Sequence, residues 1–247
     1  MKKVKFTTWT VGQDAPMEIC HFLQQQADAG IKFFCFDYFD TLITRNLEPE
    51  YSKQLAARLH TRLLSHLLPP EQLYTLRQQL ERELCEKSAA SGGELEFYLQ
   101  DFAQPYRLLL QKKIGNIQPL EDASRFSKII LAVETAVEQA VQQPCEETLQ
   151  VLAWLREQGM NTVLISDFYL PGPSFNTMLE NMGLQDQFDH IYISADHGLS
   201  KGSGRLYEKI SQDLGCPAEQ MLMIGDNAHS DVLRAKEKGL QAIQVVN

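Results

Sequence analysis

The sequence predicts a parallel α/β sheet core that carries one large all-helical insertion, and three observations predict it. Short apolar runs that suit buried strands recur at residues 31–36, 161–166, 190–194, 221–225 and 241–246. Helical periodicity separates the last four of these runs, and strands alternating with helices build parallel sheets. Between the first run and the second, from 46 to 143, strand-like runs vanish and Gln, Glu, Leu and Arg dominate at spacings of three and four.

Taken in order, residues 1–14 carry no pattern, and 15–29 read as a helix leading into the first strand. That strand, IKFFCF at 31–36, is bounded by Gly30 and Asp37. Breaks at Pro69-Pro70, Ser91-Gly92-Gly93, Pro105 and Gly115 to Pro119 divide the insertion into four or five helices. The implied domains are a core of 1–45 and 144–247 and a helical domain of 46–143, placed like a cap over the carboxyl edge of the sheet. The next helix, from Glu146 to about Gln158, directs Leu149, Leu152, Trp154 and Leu155 toward a core and stops at Gly159. Gly183, Gly215 and Gly239 mark the same kind of stop.

Composition narrows the function classes. The chain has 247 residues, 44% apolar and 22% charged, enough to bury a sizeable core in one globular unit or one domain with an insertion. Its net charge of −9 repels a phosphate backbone, so nucleic acid is not an expected partner. No apolar run approaches the roughly 20 residues of a membrane span. The lysines of MKKVKFTTWTVGQD lack the apolar stretch of a secretory leader. A cytoplasmic protein without membrane partners is the expectation. Five widely spaced cysteines with no C-x-x-C pair suggest reduced thiols rather than disulfides or zinc.

Ligands of parallel sheets bind beyond the carboxyl ends of the strands. Those ends carry Asp37-Tyr38-Phe39-Asp40-Thr41, then Ser166-Asp167, then Lys201 in a loop, then Gly225-Asp226-Asn227-Ala228-His229-Ser230-Asp231. Singly, each also fits a helix cap, a turn or a solvated loop. Together they bring Asp37, Asp226 and Asp231 to one edge with a single lysine, and carboxylates that close raise one another's pKa unless a cation joins them. Hard oxygen donors with few other ligands suit Mg²⁺.

The set F-D-Y-F-D-T-L, I-S-D, Lys201 and G-D-N-x-x-S-D resembles the four signature motifs of the haloacid dehalogenase-like hydrolase superfamily, from about residue 30 to the end. The resemblance implies a Rossmann-like core with a helical cap inserted after the first strand. It implies that Asp37 is a nucleophile that forms an aspartyl ester and that Thr41 and Ser166 donate to the transferring group. Lys201 would hold Asp37, and Asp231 would orient the lysine or a metal-bound water. Mg²⁺ would lie between Asp37, Asp226 and the main-chain carbonyl of Phe39.

One departure bears on the reaction. Phosphatases of this superfamily carry D-x-D-x-T, whose second Asp moves protons; here that position is Phe39, which cannot. Asp40 stands where a glycine is usual and reads as a turn former. Three readings follow: a Mg²⁺-dependent phosphatase acting on a small phosphorylated metabolite; a dehalogenase or phosphonatase, branches that also lack the second Asp; or a non-catalytic phosphate- or metabolite-binding protein. Retention of Asp226 with Lys201 favours the first, because dehalogenation needs no metal. Arg45, four residues beyond the first motif, is a candidate substrate contact, joined by Asp167 and Asn227. His229 reads equally as a substrate contact and as a helix cap.

Overall fold

The structure, a computed structural model, describes residues 7–247. Along the chain run β1 (Thr8–Thr10), α1 (Pro16–Asp28), β2 (Phe33–Phe36), β3 (Ile43–Arg45), α2 (Pro49–Leu63), α3 (Pro70–Ala90), α4 (Leu99–Ile114), α5 (Ala123–Val141) and β4 (Gln142–Pro144). There follow α6 (Glu146–Glu157), β5 (Asn161–Ser166), α7 (Gly172–Asn181), β6 (His190–Ile193), α8 (Ser194–His197), α9 (Arg205–Asp213), β7 (Met221–Gly225), α10 (Ala235–Glu237) and β8 (Gln241–Val246). A π-helical turn, Ala228–Arg234, runs into α10. The lysines of the possible leader, Lys2, Lys3 and Lys5, all lie outside the described residues. Among the described residues no helix is long and apolar enough to cross a membrane, and the five cysteines are free.

The chain forms two compact units. The first comprises residues up to Thr44, Gln143–Asp167 and Met182–Asn247. Its sheet has six parallel strands in the order β1-β8-β7-β2-β5-β6. Unbroken apolar runs such as VLI in β5 and MLMI in β7 are what a sheet covered on both faces requires. Phe36 lies level with Leu164 on one side and Ile224 on the other, so β2, β5 and β7 end close together. β1, absent from the sequence reading, is an edge strand held by the fully buried Trp9. Three residues are too few to show a period. In α6 the buried stripe is Thr148, Val151, Leu152 and Leu155, so Leu149 and Trp154, expected to face the core, flank it half-buried. Gly159 and Gly215 end their helices at φ of 68° and 57°, the left-handed conformation open to glycine.

The second unit is Arg45–Gln142 together with Phe168–Asn181. It therefore differs from the helical domain of 46–143 that the sequence implies, because residues Phe168–Asn181, which that reading leaves in the core, belong to the helical unit. The reason is their bonding: Leu99 N–H donates to Tyr169 O at 2.9 Å, Tyr169 O–H to Glu134 at 3.0 Å, and Gln139 Nε2 to Thr177 O at 3.3 Å. Pro105 does not break a helix as expected but lies inside α4. It is only the seventh residue of that helix and forfeits a single bond, to the carbonyl of the exposed Asp101. The interior is unusually charged: buried Arg77 pairs with Glu81 and Glu134, and burial, with Arg77 adding to it, pushes the His60 imidazole down to about 4 despite Glu134 nearby.

Candidate active site

The site is built in the sheet unit where β2, β5 and β7 end. Asp37 N–H donates to Ile224 O at 2.9 Å, which carries the ladder one residue past β2 and fixes the Asp37 backbone at the sheet edge. The chain then turns: Leu42 and Ile43 both donate to Tyr38 O, at 2.9 and 3.0 Å, which brings the buried Thr41 back toward β7. Asp40 closes this turn at φ 55°, a left-handed conformation that Asp tolerates better than most residues, so its turn-forming role is visible in the backbone. Thr41 Oγ1 accepts the Asp226 N–H at 3.1 Å and keeps its own proton for another acceptor. Ser166, the last residue of β5, is fully buried, and its hydroxyl has no partner among the described residues.

Lys201 is 3% exposed, not solvated as a Gly/Ser loop would allow. Its Nζ donates to Asp37 Oδ1 and, at 2.7 Å, to Asp231 Oδ1. Burial works against the ammonium, but Asp231, Asp37 and Asp167 outweigh it and hold Lys201 well above its ordinary value. Burial pushes the Asp37 carboxyl up to about 8 against the pull of Lys201, with Asp231 adding to the rise. Burial also raises Asp226 to about 6, helped by Asp231 and Asp40.

Asp37, Asp226 and Asp231 each offer an oxygen within 4.8 Å of the others. Asp231 is already committed, one oxygen to Lys201 and the other accepting the Asn227 N–H at 3.1 Å. Asp226 has no ion pair among the described residues, and Lys201 bonds Asp37 through Oδ1. Two carboxylates raised by burial and by like charge, one of them without an ion pair among the described residues, are a donor set that fits a hard divalent ion. Gly225 lets Asp231 come this close: a Cβ there would lie 2.5 Å from Asp231 Cγ. Gly225→Ala is expected to lower stability by about 1–3 kcal/mol, the usual cost of overpacking, which thermal melting checks.

Three sequence-predicted substrate contacts have other partners. Asn227 Oδ1 accepts from His229 N and Ser230 N, both at 3.0 Å, so Asn227 caps the π-helical turn. His229 is exposed and contributes its backbone N–H to that cap rather than supplying it. Asp167 accepts backbone N–H groups of Lys201 and Gly202. Arg45 opens the helical unit with Nε on Glu138 at 3.3 Å. Two residues that the sequence did not single out serve the site: Tyr207 O–H donates to Ser230 O at 3.0 Å, and Arg234 Nε to Gly202 O at 3.1 Å. Both lie on helical segments, where their spacing signals only a helix face.

Comparison with known proteins bears on the family and the fold. The chain is 30% identical over 94 residues to the glyceraldehyde 3-phosphate phosphatase of Pyrococcus abyssi, covering 38% of this chain and 39% of that protein. It is 36% identical over 63 residues to the pyrimidine 5'-nucleotidase YjjG of Escherichia coli, covering 25% and 28%. The matched stretches thus span well under half of these curated relatives. Among solved structures, the 2-haloacid dehalogenase from Pseudomonas syringae pv. Tomato superposes with a TM-score of 0.64 at 19% identity, covering 87% of this chain and 86% of that one. The putative hydrolase YfnB from Bacillus subtilis superposes at 0.55, also at 19% identity, covering 87% and 88%. At such identities these structures speak for the fold alone. The family model for haloacid dehalogenase-like hydrolases matches residues 31–239, from the first residue of the β2 run to the glycine before β8, and the chain belongs to that family.

Proposed function

We propose that this hydrolase is a Mg²⁺-dependent phosphatase of small phosphorylated metabolites that works through an aspartyl-phosphate at Asp37. The observation that carries the reading is Asp226: a half-buried carboxylate raised by burial and by Asp231 and Asp40, without an ion pair among the described residues, with an oxygen within 4.8 Å of one of Asp37. A carbon–halogen bond needs no such second carboxylate, whereas a phosphoryl group with a divalent ion does. The phosphatase and nucleotidase names of the relatives support the same choice.

In this reading Lys201 holds Asp37 Oδ1 and leaves Oδ2 to attack phosphorus, while the leaving oxygen departs with the P–O electron pair. The hydroxyls of Thr41 and Ser166 donate to the oxygens of the transferring group; the buried, unpartnered Ser166 hydroxyl gains there the hydrogen bond it lacks. Asp37 and Asp226, with the Phe39 carbonyl, would hold Mg²⁺, which supplies charge neutralisation to the phosphoryl group. Asp231 keeps Lys201 charged and in place. Phe39 offers no atom that moves a proton, and this favours one second reading, a protein that binds such a metabolite without turning it over.

Calorimetric titration with Mg²⁺ tests the metal site. Both carboxylates must lose protons to bind the ion, so affinity is expected to rise with pH between about 5.5 and 8, spanning the raised positions of Asp226 and Asp37. The metal-free protein, in contrast, loses stability over that window, because groups raised in the folded state favour folding while protonated. The thermal shift on adding Mg²⁺ therefore grows with pH. Affinity that is flat with pH, or that survives in Asp226→Ala, overturns the metal assignment.

A further inference from the structure

We propose that Asp167 is a positioning residue that sets the place of Lys201 by clamping the backbone of its loop, and that it does not touch substrate. The inference rests on the reading above that Lys201 serves the reaction.

Lys201 lies between α8 and α9 in a segment, Ser200-Lys201-Gly202-Ser203-Gly204, whose two glycines give it little conformational preference of its own. Its side chain must nevertheless reach two carboxylates at once, one following β2 and one in the turn after β7. Asp167 is the residue that directly follows β5, the neighbour of β2. Its Oδ1 accepts the Lys201 N–H at 2.8 Å, and its Oδ2 accepts the Lys201 and Gly202 N–H groups at 3.1 and 3.3 Å. From the other side Arg234 Nε holds the Gly202 carbonyl, while Gly204 N–H donates to the Lys201 carbonyl at 2.8 Å.

The Lys201 backbone thus has both its N–H and its C=O fixed, and both oxygens of Asp167 are engaged by main-chain donors. A carboxylate taken out of water to accept backbone amides loses solvation that a substrate contact would have to justify, whereas one that fixes a general-purpose loop against a sheet recovers it in charge-assisted bonds. Adjacent positions at the strand end divide the work: Ser166 keeps a free hydroxyl, and Asp167 spends its oxygens on the loop.

Three measurements on this chain with Mg²⁺ decide the matter: the burst rate constant for an aryl phosphate and its half-saturation concentration, amide hydrogen exchange at residues 201 and 202, and the melting temperature. Asp167→Asn keeps the shape and one carbonyl acceptor; Asp167→Ala removes both. We expect the burst rate constant to fall about 10–100-fold in Asp167→Ala, as for other residues that orient catalytic groups, with its half-saturation concentration within twofold. Exchange at 201 and 202 should accelerate at least tenfold, with the remaining amides unchanged, and Asp167→Asn should lie between wild type and alanine in both respects. If the alanine variant does not fold, the asparagine variant carries the comparison. A raised half-saturation concentration with an unchanged burst rate constant would make Asp167 a substrate contact and overturn the proposal, as would unchanged exchange at 201 and 202, or faster exchange with a wild-type burst rate constant. Lys201→Ala separates the two readings: if it retains full activity, or if wild type cleaves no phosphate ester, the phosphatase reading falls, and the exchange data alone decide whether the clamp exists.

Discussion

Asp37→Asn is expected to abolish phosphate-ester hydrolysis, lowering kcat by about 10⁴-fold or more, while the protein stays folded. The amide has the shape of the carboxyl and can still accept from Lys201, but it has no oxygen able to attack phosphorus. The fold should tolerate the change well, because burial already pushes Asp37 up to about 8 and its ionised form is the costly one. Without metal, wild type should lose stability as pH rises through that value, and the variant should lose less. Steady-state assays on a panel of small phosphate esters, together with melting curves at pH 6 and pH 9, check both halves. Equal cleavage by wild type and Asp37→Asn would remove the nucleophile from the assignment.

Phe39→Asp is expected to change the kinetics in the opposite sense. Formation of the aspartyl ester needs alignment and charge neutralisation, so with a good leaving group wild type should react rapidly once. Hydrolysis of the ester needs a base for water, and Phe39 supplies none. Wild type should therefore show a burst of product equal to the enzyme concentration, followed by a slow phase, with phosphate trapped on Asp37. Supplying the carboxylate should speed the slow phase by about 10²–10⁴-fold, the usual worth of a general acid or base, and should admit poorer leaving groups. The position is half-buried, with the Phe39 ring edge-on to Tyr38 at 5.0 Å, so the new charge keeps access to water. Stopped-flow with aryl phosphates of graded leaving-group pKa decides it. Linear progress curves with no dependence on leaving group would show that another group moves the proton. Asp40, close enough to raise Asp226, is the first to test.

Much of this was legible along the chain because the signals are local. A five-residue apolar run states that a strand is covered on both faces, a glycine at its helix end states a left-handed residue, and polar residues just past each run state where a parallel sheet meets its ligand. Those three rules put Asp37, Thr41, Ser166, Lys201, Asp226 and Asp231 just beyond the ends of strands of one sheet from the sequence alone. The sheet order, which sets β2 between β5 and β7, brings one oxygen each of Asp37, Asp226 and Asp231 within 4.8 Å of the others and the Lys201 ammonium within bonding distance of Asp37 and Asp231.

What only the tertiary structure decided is which partner uses each polar atom. Asp167, Asn227 and Arg45 have the residue types and the spacing of ligand contacts, yet their side chains bond to Lys201 and Gly202, to the turn at 229–230 and to Glu138. The partner of Asp167 lies 34 residues away and that of Arg45 lies 93 away, distances at which no periodicity operates. The same holds for β1, which exists because β8 offers it an edge, and for Phe168–Asn181, which follows the sheet in sequence but bonds to the helices. A local pattern states what a residue is able to bond. Since each lone pair and each N–H is used once or twice, which bond it makes depends on what the fold brings within about 3 Å.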